Sequence, residues 1–154
     1  MHNKFLYIWD MHKDKTIDHN LRATWQAVAK MYNEQAAKYD STMSAAFVLL
    51  NIDLEQGTPS TSLGPIMGME ATSLSRILKN LEERGVIYRE KNPNDGRSVL
   101  IKLTPLGIEK RDLSRSKVIQ FNEAVSNKLN VEQIQNFFEV TEVIQELISN
   151  KDIF

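Results

Sequence analysis

Thr72, Ser75, Arg76 and Lys79 fall at i, i+3, i+4 and i+7, so any helix that carries them presents them on one face. Their types suit a nucleic-acid groove. Arg pairs bidentately with guanine or meets a phosphate, Lys seeks phosphate as a point charge, and Ser and Thr hydroxyls bond to either. Leu74, Ile77, Leu78 and Leu81 occupy the opposite face, which predicts an amphipathic helix over 71–84. Taken alone, such a polar stripe equally describes the solvated side of an ordinary helix. A second cluster changes the balance. In Asn92-Pro93-Asn94-Asp95-Gly96-Arg97 the Asp-Gly pair is a strong hairpin signal. There Asp95 stands two residues from Arg97 and can hold the guanidinium in a fixed direction. An Arg at the tip of a protruding ribbon suits a narrow minor groove, where the potential is most negative. Arg89, Lys91 and Lys102 on the flanking strands add cations.

Other chemistries find little support. The histidines are His2, His12 and His19, with no partner at metal-ligand spacing. The chain has no cysteine, which excludes disulfides, thiolate metal sites and thiol redox switches, and fits a reducing, cytoplasmic compartment. Gly64 and Gly68 make no phosphate loop, because no strand precedes them and no Lys follows. No nucleophile motif stands out. The reading is therefore a binding protein and not an enzyme, without cofactor or metal. Its alternative is a winged-helix protein-interaction module without specific DNA binding, which would need an apolar or acidic outer stripe on 71–84.

The elements that must position these residues can be read from periodicity. Residues 1–15 mix aromatic and charged types and read as an arm. Residues 16–39 carry Ile17, Leu21, Trp25, Val28, Tyr32 and Tyr39 at helical spacing. Residues 43–55 predict a short apolar helix capped by Ser41 or Ser44 and stopped near Gly57. Thr58-Pro59-Ser60-Thr61 breaks the chain and offers hydroxyls for the next cap. A short helix over 62–67 ends at Gly68, a left-handed C-terminal residue, and the helix of 71–84 ends at Gly85. The period then shifts to about two, giving strands at Val86–Lys91 and Ser98–Leu103. Thr104 and Pro105 open a helix striped by Leu113, Phe121, Val125 and Leu129. Asn130 caps a last helix with Ile134, Phe137, Phe138, Ile144, Leu147 and Ile148. Two short helices in tight succession followed by a hairpin describe a winged helix-turn-helix. The fold class is mainly α with a small β-hairpin wing.

The run Leu81-Glu82-Glu83-Arg84-Gly85-Val86-Ile87-Tyr88-Arg89, followed by Asn92 through Arg97 and Ser98-Val99-Leu100-Ile101-Lys102-Leu103-Thr104-Pro105-Leu106-Gly107, resembles the MarR family of bacterial transcriptional regulators. The resemblance covers residues 16–149 and is strongest over 60–107. It implies a recognition helix at 71–84, a wing at 86–103 and a homodimer whose interface comes from helices at both chain ends. It implies Arg97 in the minor groove, oriented by Asp95, with Thr72, Ser73, Ser75, Arg76 and Lys79 at the major groove of double-stranded DNA. Thr61, Arg89, Lys91 and Lys102 join the DNA-facing set. The family also implies a pocket for a small apolar or aromatic acid, which Trp25, Tyr32, Tyr39, Met43 and Phe47 would line. The same side chains equally suit plain core. Two positions depart from the family pattern. Glu70 stands where Ser or Thr opens the recognition helix, and Gly64-Pro65 interrupts the helix before it. The expected organisation is one domain over 1–154: an arm at 1–15, dimerisation helices at 16–40 and 105–150, and a DNA-binding lobe at 41–104.

Charge agrees with this division. The formal net charge is -1, with 19 basic and 20 acidic residues among 154, which excludes a protein held to nucleic acid by bulk charge. Residues 61–111 nevertheless carry 9 basic against 6 acidic residues, while the segments on either side carry the acidic excess. No apolar run approaches the ~20 residues of a membrane span, so no membrane partner is expected.

Overall fold

A computed structural model describes residues 16–154, and the expected arm at 1–15 lies outside the described residues. The elements in chain order are α1 (Ile17–Ala37), α2 (Met43–Leu50), β1 (Thr58–Pro59), α3 (Ser60–Met67), α4 (Ala71–Glu83), β2 (Ile87–Lys91), β3 (Val99–Leu103), α5 (Pro105–Ser126) and α6 (Val131–Ser149). By compactness the chain forms two units, one through Ser114 and one over Arg115–Phe154, with the division inside α5. Among the described residues no helix is long and apolar enough to cross a membrane.

The first unit is built on one apolar core. Val48, Leu49 and Ile52 from α2 and its end meet Leu63 of α3, Leu74, Leu78 and Leu81 of α4, and Val86, Ile87 and Ile101 around the sheet. The four positions read as the apolar face of α4 behave accordingly, with Leu74, Leu78 and Leu81 buried and Ile77 packed at the margin. Both helices of the helix-turn-helix close as expected on left-handed glycines, Gly68 (φ 58°) and Gly85 (φ 67°).

The expected hairpin is present, but it belongs to a three-stranded antiparallel sheet in the order β1-β3-β2. In β1, Thr58 pairs with Ile101 and Pro59 with Leu100. This segment was expected to break the chain and cap the next helix, and not to form a strand. A two-residue strand containing Pro leaves no periodic signal, and Pro is tolerated because β1 lies at the sheet edge. Gly57 makes the approach possible. It has φ +74°, and a Cβ there would lie 2.7 Å from Lys102 Cγ and 2.9 Å from the Ile101 carbonyl.

Helix boundaries differ from expectation in the first unit. α2 stops at Leu50 instead of 55, because polar side chains divert the backbone. Asn51 Nδ2 donates to the Phe47 carbonyl, and Asp53 Oδ1 accepts from the Glu55 and Gln56 N–H groups at 2.9 and 2.7 Å. Those two bonds hold the Asp53 carboxyl below its ordinary pKa, with the Gln56 bond the larger cause. The N-cap of α2 is Thr42, whose hydroxyl accepts from Ala45 N–H, and neither Ser41 nor Ser44 fills that role. α3 begins at Ser60, earlier than expected, with Pro59 as N-cap and no side-chain cap. Pro65 therefore lies in its later half and not in the first turn, and the helix persists around it.

At the start of α5 the Thr104 hydroxyl accepts from Gly107 N–H (3.1 Å) and donates toward the carbonyls of Gly85 (2.7 Å) and Val86 (3.0 Å). This hydroxyl is the expected cap and also ties the helix to the beginning of the wing. In the second unit Asn130 caps α6 through a reciprocal pair with Gln133. Its Phe137, Phe138, Val140, Val143 and Ile148 are all more than half exposed. The Phe137 and Phe138 rings meet edge-to-face at 5.7 Å.

Candidate nucleic-acid interface

Burial of Leu74, Leu78 and Leu81 fixes which side of α4 faces outward. Thr72, Ser73, Ser75, Arg76 and Lys79 are all exposed, and four of them form the i, i+3, i+4, i+7 stripe. Thr61, near the start of α3, is exposed as well. Glu70 is the N-cap of α4 without a side-chain cap bond, so its carboxylate satisfies none of the first N–H groups.

The strand cations are arranged by register. Arg89 lies opposite Ile101, and Lys102 lies opposite Tyr88. Arg89 reaches back to α4, where its Nε meets Glu82 Oε2 at 2.9 Å. Lys102 Nζ meets Glu90 at 3.3 Å along the strand pair, and Lys79 Nζ meets Glu83 at 3.8 Å along α4. Among the described residues no carboxylate pairs with Arg76, Lys91 or Arg97. The interface thus contains three paired cations and three open ones.

The wing tip differs in detail from the sequence reading. Gly96 has no positive φ, so Asp95-Gly96 is not the centre of a two-residue turn. Residues 92–98 form a longer loop. Asp95 Oδ1 accepts from the backbone N–H of Arg97 at 3.0 Å and makes no ion pair with the guanidinium. The carboxylate fixes the backbone from which Arg97 departs, and the Arg97 side chain stays exposed.

Three contacts near the interface carried no signal in periodicity. Asn92 Nδ2 donates to Ser98 Oγ at 2.8 Å, with both residues buried at the base of the wing. Arg84, at the C-terminus of α4, donates from Nη1 to the Asp40 carbonyl at 2.5 Å, which fastens the end of α4 to the turn after α1. Gly107 sits so close to Val86 that a Cβ would fall 2.1 Å from its carbonyl oxygen.

The aromatic candidates are only partly gathered. Tyr32 and Phe47 meet edge-to-face at 5.9 Å, and partial burial pushes the Tyr32 phenol above its ordinary pKa. Met43 stands at the start of α2, where its N–H donates to Asn33 Oδ1 at 3.0 Å. Trp25 and Tyr39 are exposed, at 54% and 41%. Among the described residues no group of three or more His, Asp or Glu is placed to hold a metal ion.

Comparison with known proteins identifies the fold and the family. The MarR family model matches residues 41–99, from the cap of α2 to the first residue of β3. The chain is 30% identical over 103 residues to the HTH-type transcriptional regulator SarZ of Staphylococcus haemolyticus, a match spanning 67% of this chain and 70% of that protein. The fold superposes on a crystal structure of the S. aureus MepR–DNA complex with a TM-score of 0.77 at 19% identity, covering 86% of this chain and 98% of that one. It also superposes on the PcaV transcriptional regulator of Streptomyces coelicolor, solved with its natural ligand, with a TM-score of 0.71 at 20% identity over 86% and 93% of the two chains. With the helix-turn-helix, the wing and the exposed cationic stripe in place, the chain belongs to the MarR family and is a DNA-binding transcription regulator, not an enzyme.

Proposed function

We propose that the chain acts in the cytoplasm as a homodimeric repressor that reads a pseudo-palindromic operator and releases it when a small apolar or aromatic acid binds. One observation carries the DNA-reading part: the outward stripe Thr72, Ser75, Arg76 and Lys79 stands on the helix directly before the wing, with Arg76, Lys91 and Arg97 free of carboxylate partners among the described residues. On this reading α4 enters the major groove, where Thr72, Ser73, Ser75 and Arg76 meet base edges and Lys79 and Thr61 meet phosphates. Arg97 enters the flanking minor groove, while Arg89, Lys91 and Lys102 follow the backbone. Two such helices in a dimer read half-sites about one turn, ~34 Å, apart.

Dimerisation is supported by the apolar surface of α6, because a chain that leaves two Phe, three Val and an Ile more than half exposed on one helix presents an interface. The Asp95 carboxylate belongs to the wing as a support for the backbone of Arg97. For the effector, the Tyr32–Phe47 ring pair is the nucleus of the proposed site. Trp25, Tyr39 and Met43 complete the candidate set. A ligand there releases DNA only if it favours a dimer whose two lobes are wrongly spaced. The test is selection of bound DNA from a random pool with the full chain, repeated with benzoate or salicylate present. Enrichment of a palindromic sequence is expected. Its absence at low salt would overturn the operator reading. An Arg97→Ala dimer that binds the enriched sequence as tightly as wild type would remove the wing from the interface.

A further inference from the structure

Backbone pairing in the wing ends with Lys91 opposite Val99. The next positions in register are Asn92 and Ser98, and here side chains replace the backbone. Asn92 Nδ2 donates to Ser98 Oγ at 2.8 Å, and each residue is only 8% exposed. Everything beyond this rung, Pro93 through Arg97, is exposed. Further bonds stiffen the arch above it. Asn92 Oδ1 accepts from Asn94 N–H at 3.0 Å, Asp95 Oδ1 from Arg97 N–H at 3.0 Å, and the Asp95 carbonyl from Ser98 N–H at 3.1 Å. The loop is therefore two successive Asx-type turns clamped at the base. Asn92 is satisfied in two directions, since its amide N–H meets Ser98 and its carbonyl meets the arch. A charged tip on an unclamped loop of this length would sample many directions, and fixing it on a ligand would cost conformational entropy at the moment of binding.

We infer that Asn92 and Ser98 are positioning residues for DNA binding: their buried side-chain rung sets the direction in which Arg97 leaves the wing. They act through the backbone of residues 93–97 and do not themselves touch DNA. The inference rests on the reading of Arg97 as a minor-groove contact, and the experiment separates the two. Affinity for the selected operator is measured at one salt concentration for the full chain and for Asn92→Ala, Ser98→Ala, Arg97→Ala and the double variant Asn92→Ala with Arg97→Ala. Exchange of the Arg97 amide proton is followed in parallel, which reports the clamp even where a variant loses stability.

Asn92→Ala and Ser98→Ala are each expected to weaken binding by about tenfold, as for loss of one buried hydrogen bond. Both should speed exchange at Arg97. In the Arg97→Ala background, Asn92→Ala should cost less than about twofold, because the side chain it orients is gone. Ser98→Thr, which keeps the hydroxyl, should restore most of the affinity lost in Ser98→Ala. Wild-type affinity in both single variants, while Arg97→Ala is weakened, overturns the inference and leaves the wing reading standing. A full tenfold loss from Asn92→Ala on top of Arg97→Ala also overturns it, since the rung would then act on something other than Arg97. Wild-type affinity in Arg97→Ala overturns the wing reading and this inference together.

Discussion

Replacing Gly107 by Ala separates the close approach between the wing and α5 from ordinary helix energetics. In an exposed helix interior that change stabilises by about 1 kcal/mol, because Gly carries the larger entropy cost. Here the new methyl would lie 2.1 Å from the Val86 carbonyl oxygen and 3.2 Å from Leu103 Cβ and Cδ2. The carbonyl cannot turn aside cheaply, because it already accepts from Thr104 N–H at 3.1 Å and from the Thr104 hydroxyl at 3.0 Å. Restoring an ordinary contact needs α5 to move off the start of the wing by more than ~1 Å. Forced shifts of this kind cost about 1–3 kcal/mol, and each hydrogen bond lost at Val86 adds about 1 kcal/mol. After the helix gain is subtracted, Gly107→Ala should destabilise by about 3 kcal/mol, which is roughly 6–12 °C in thermal midpoint for a chain of this size. Gly96→Ala is the internal control, since nothing lies within 4 Å of a Cβ there, and it should change stability by less than about 0.5 kcal/mol. Thermal and urea unfolding followed by circular dichroism at one protein concentration reads both, since the proposed dimer would make the midpoint concentration-dependent. A Gly107→Ala protein as stable as wild type would refute the account of this junction.

Two further outcomes follow from the charges. Lys79→Ala should weaken DNA binding across sequences and flatten the salt dependence by about one counterion per half-site. Stability should hardly change, because its pair with Glu83 at 3.8 Å is largely exposed; an unchanged salt slope removes Lys79 from the phosphate contacts. Asp53→Asn should blunt the acid sensitivity of the fold. The bonds from Gln56 and Glu55 N–H lower the carboxyl pKa in the folded chain, so this stabilisation is present above the unfolded pKa, near 4, and is lost as pH falls through the lowered folded value. Thermal midpoints from pH 7 to pH 3 should converge toward acid for the two proteins, and parallel curves would show that Asp53 contributes nothing by its charge.

What could be read from the residues followed the strength of local patterns. α4 was legible because four leucine and isoleucine positions and a four-residue polar stripe agree on one helical phase. Thr104 with Pro105, and Asn130 with Gln133, were legible because capping is a local matter of side-chain oxygen meeting nearby N–H groups. β1 was not, since two residues containing a Pro become a strand only because β3 passes beside them. The premature end of α2 was hidden because Asn51 and Asp53 compete for backbone bonds within a run whose apolar character favours helix. At the wing tip the bonding differs from the reading of the residue types. Asp95 beside Arg97 suggested an ion pair, but Asp holds the N–H two residues on, the habit that makes it a turn residue. The Asn92–Ser98 rung depends on strand register, which is fixed only when all five pairs of the ladder are known.

The paired cations bear on how a chain of net charge -1 selects one DNA sequence. Residues 61–111 hold nine of the nineteen basic residues, yet Lys79, Arg89 and Lys102 each already face a glutamate. On the proposed reading, each must share its donors with phosphate or give up that partner. Exchange would cost about 0–1 kcal/mol for a largely exposed pair such as Lys79–Glu83, and Glu82, Glu83 and Glu90 would stand beside the DNA and repel it. On that reading, non-specific binding, which depends on the summed attraction of cations for phosphate, is reduced. Among the described residues Arg76 and Arg97 have no ion pair to give up, and they are the two residues proposed to enter the grooves. The arrangement that would weaken attraction to DNA in general would leave the proposed groove contacts undiminished. The ratio of specific to non-specific binding, not the absolute affinity, is what a regulator needs amid a genome of competing sites.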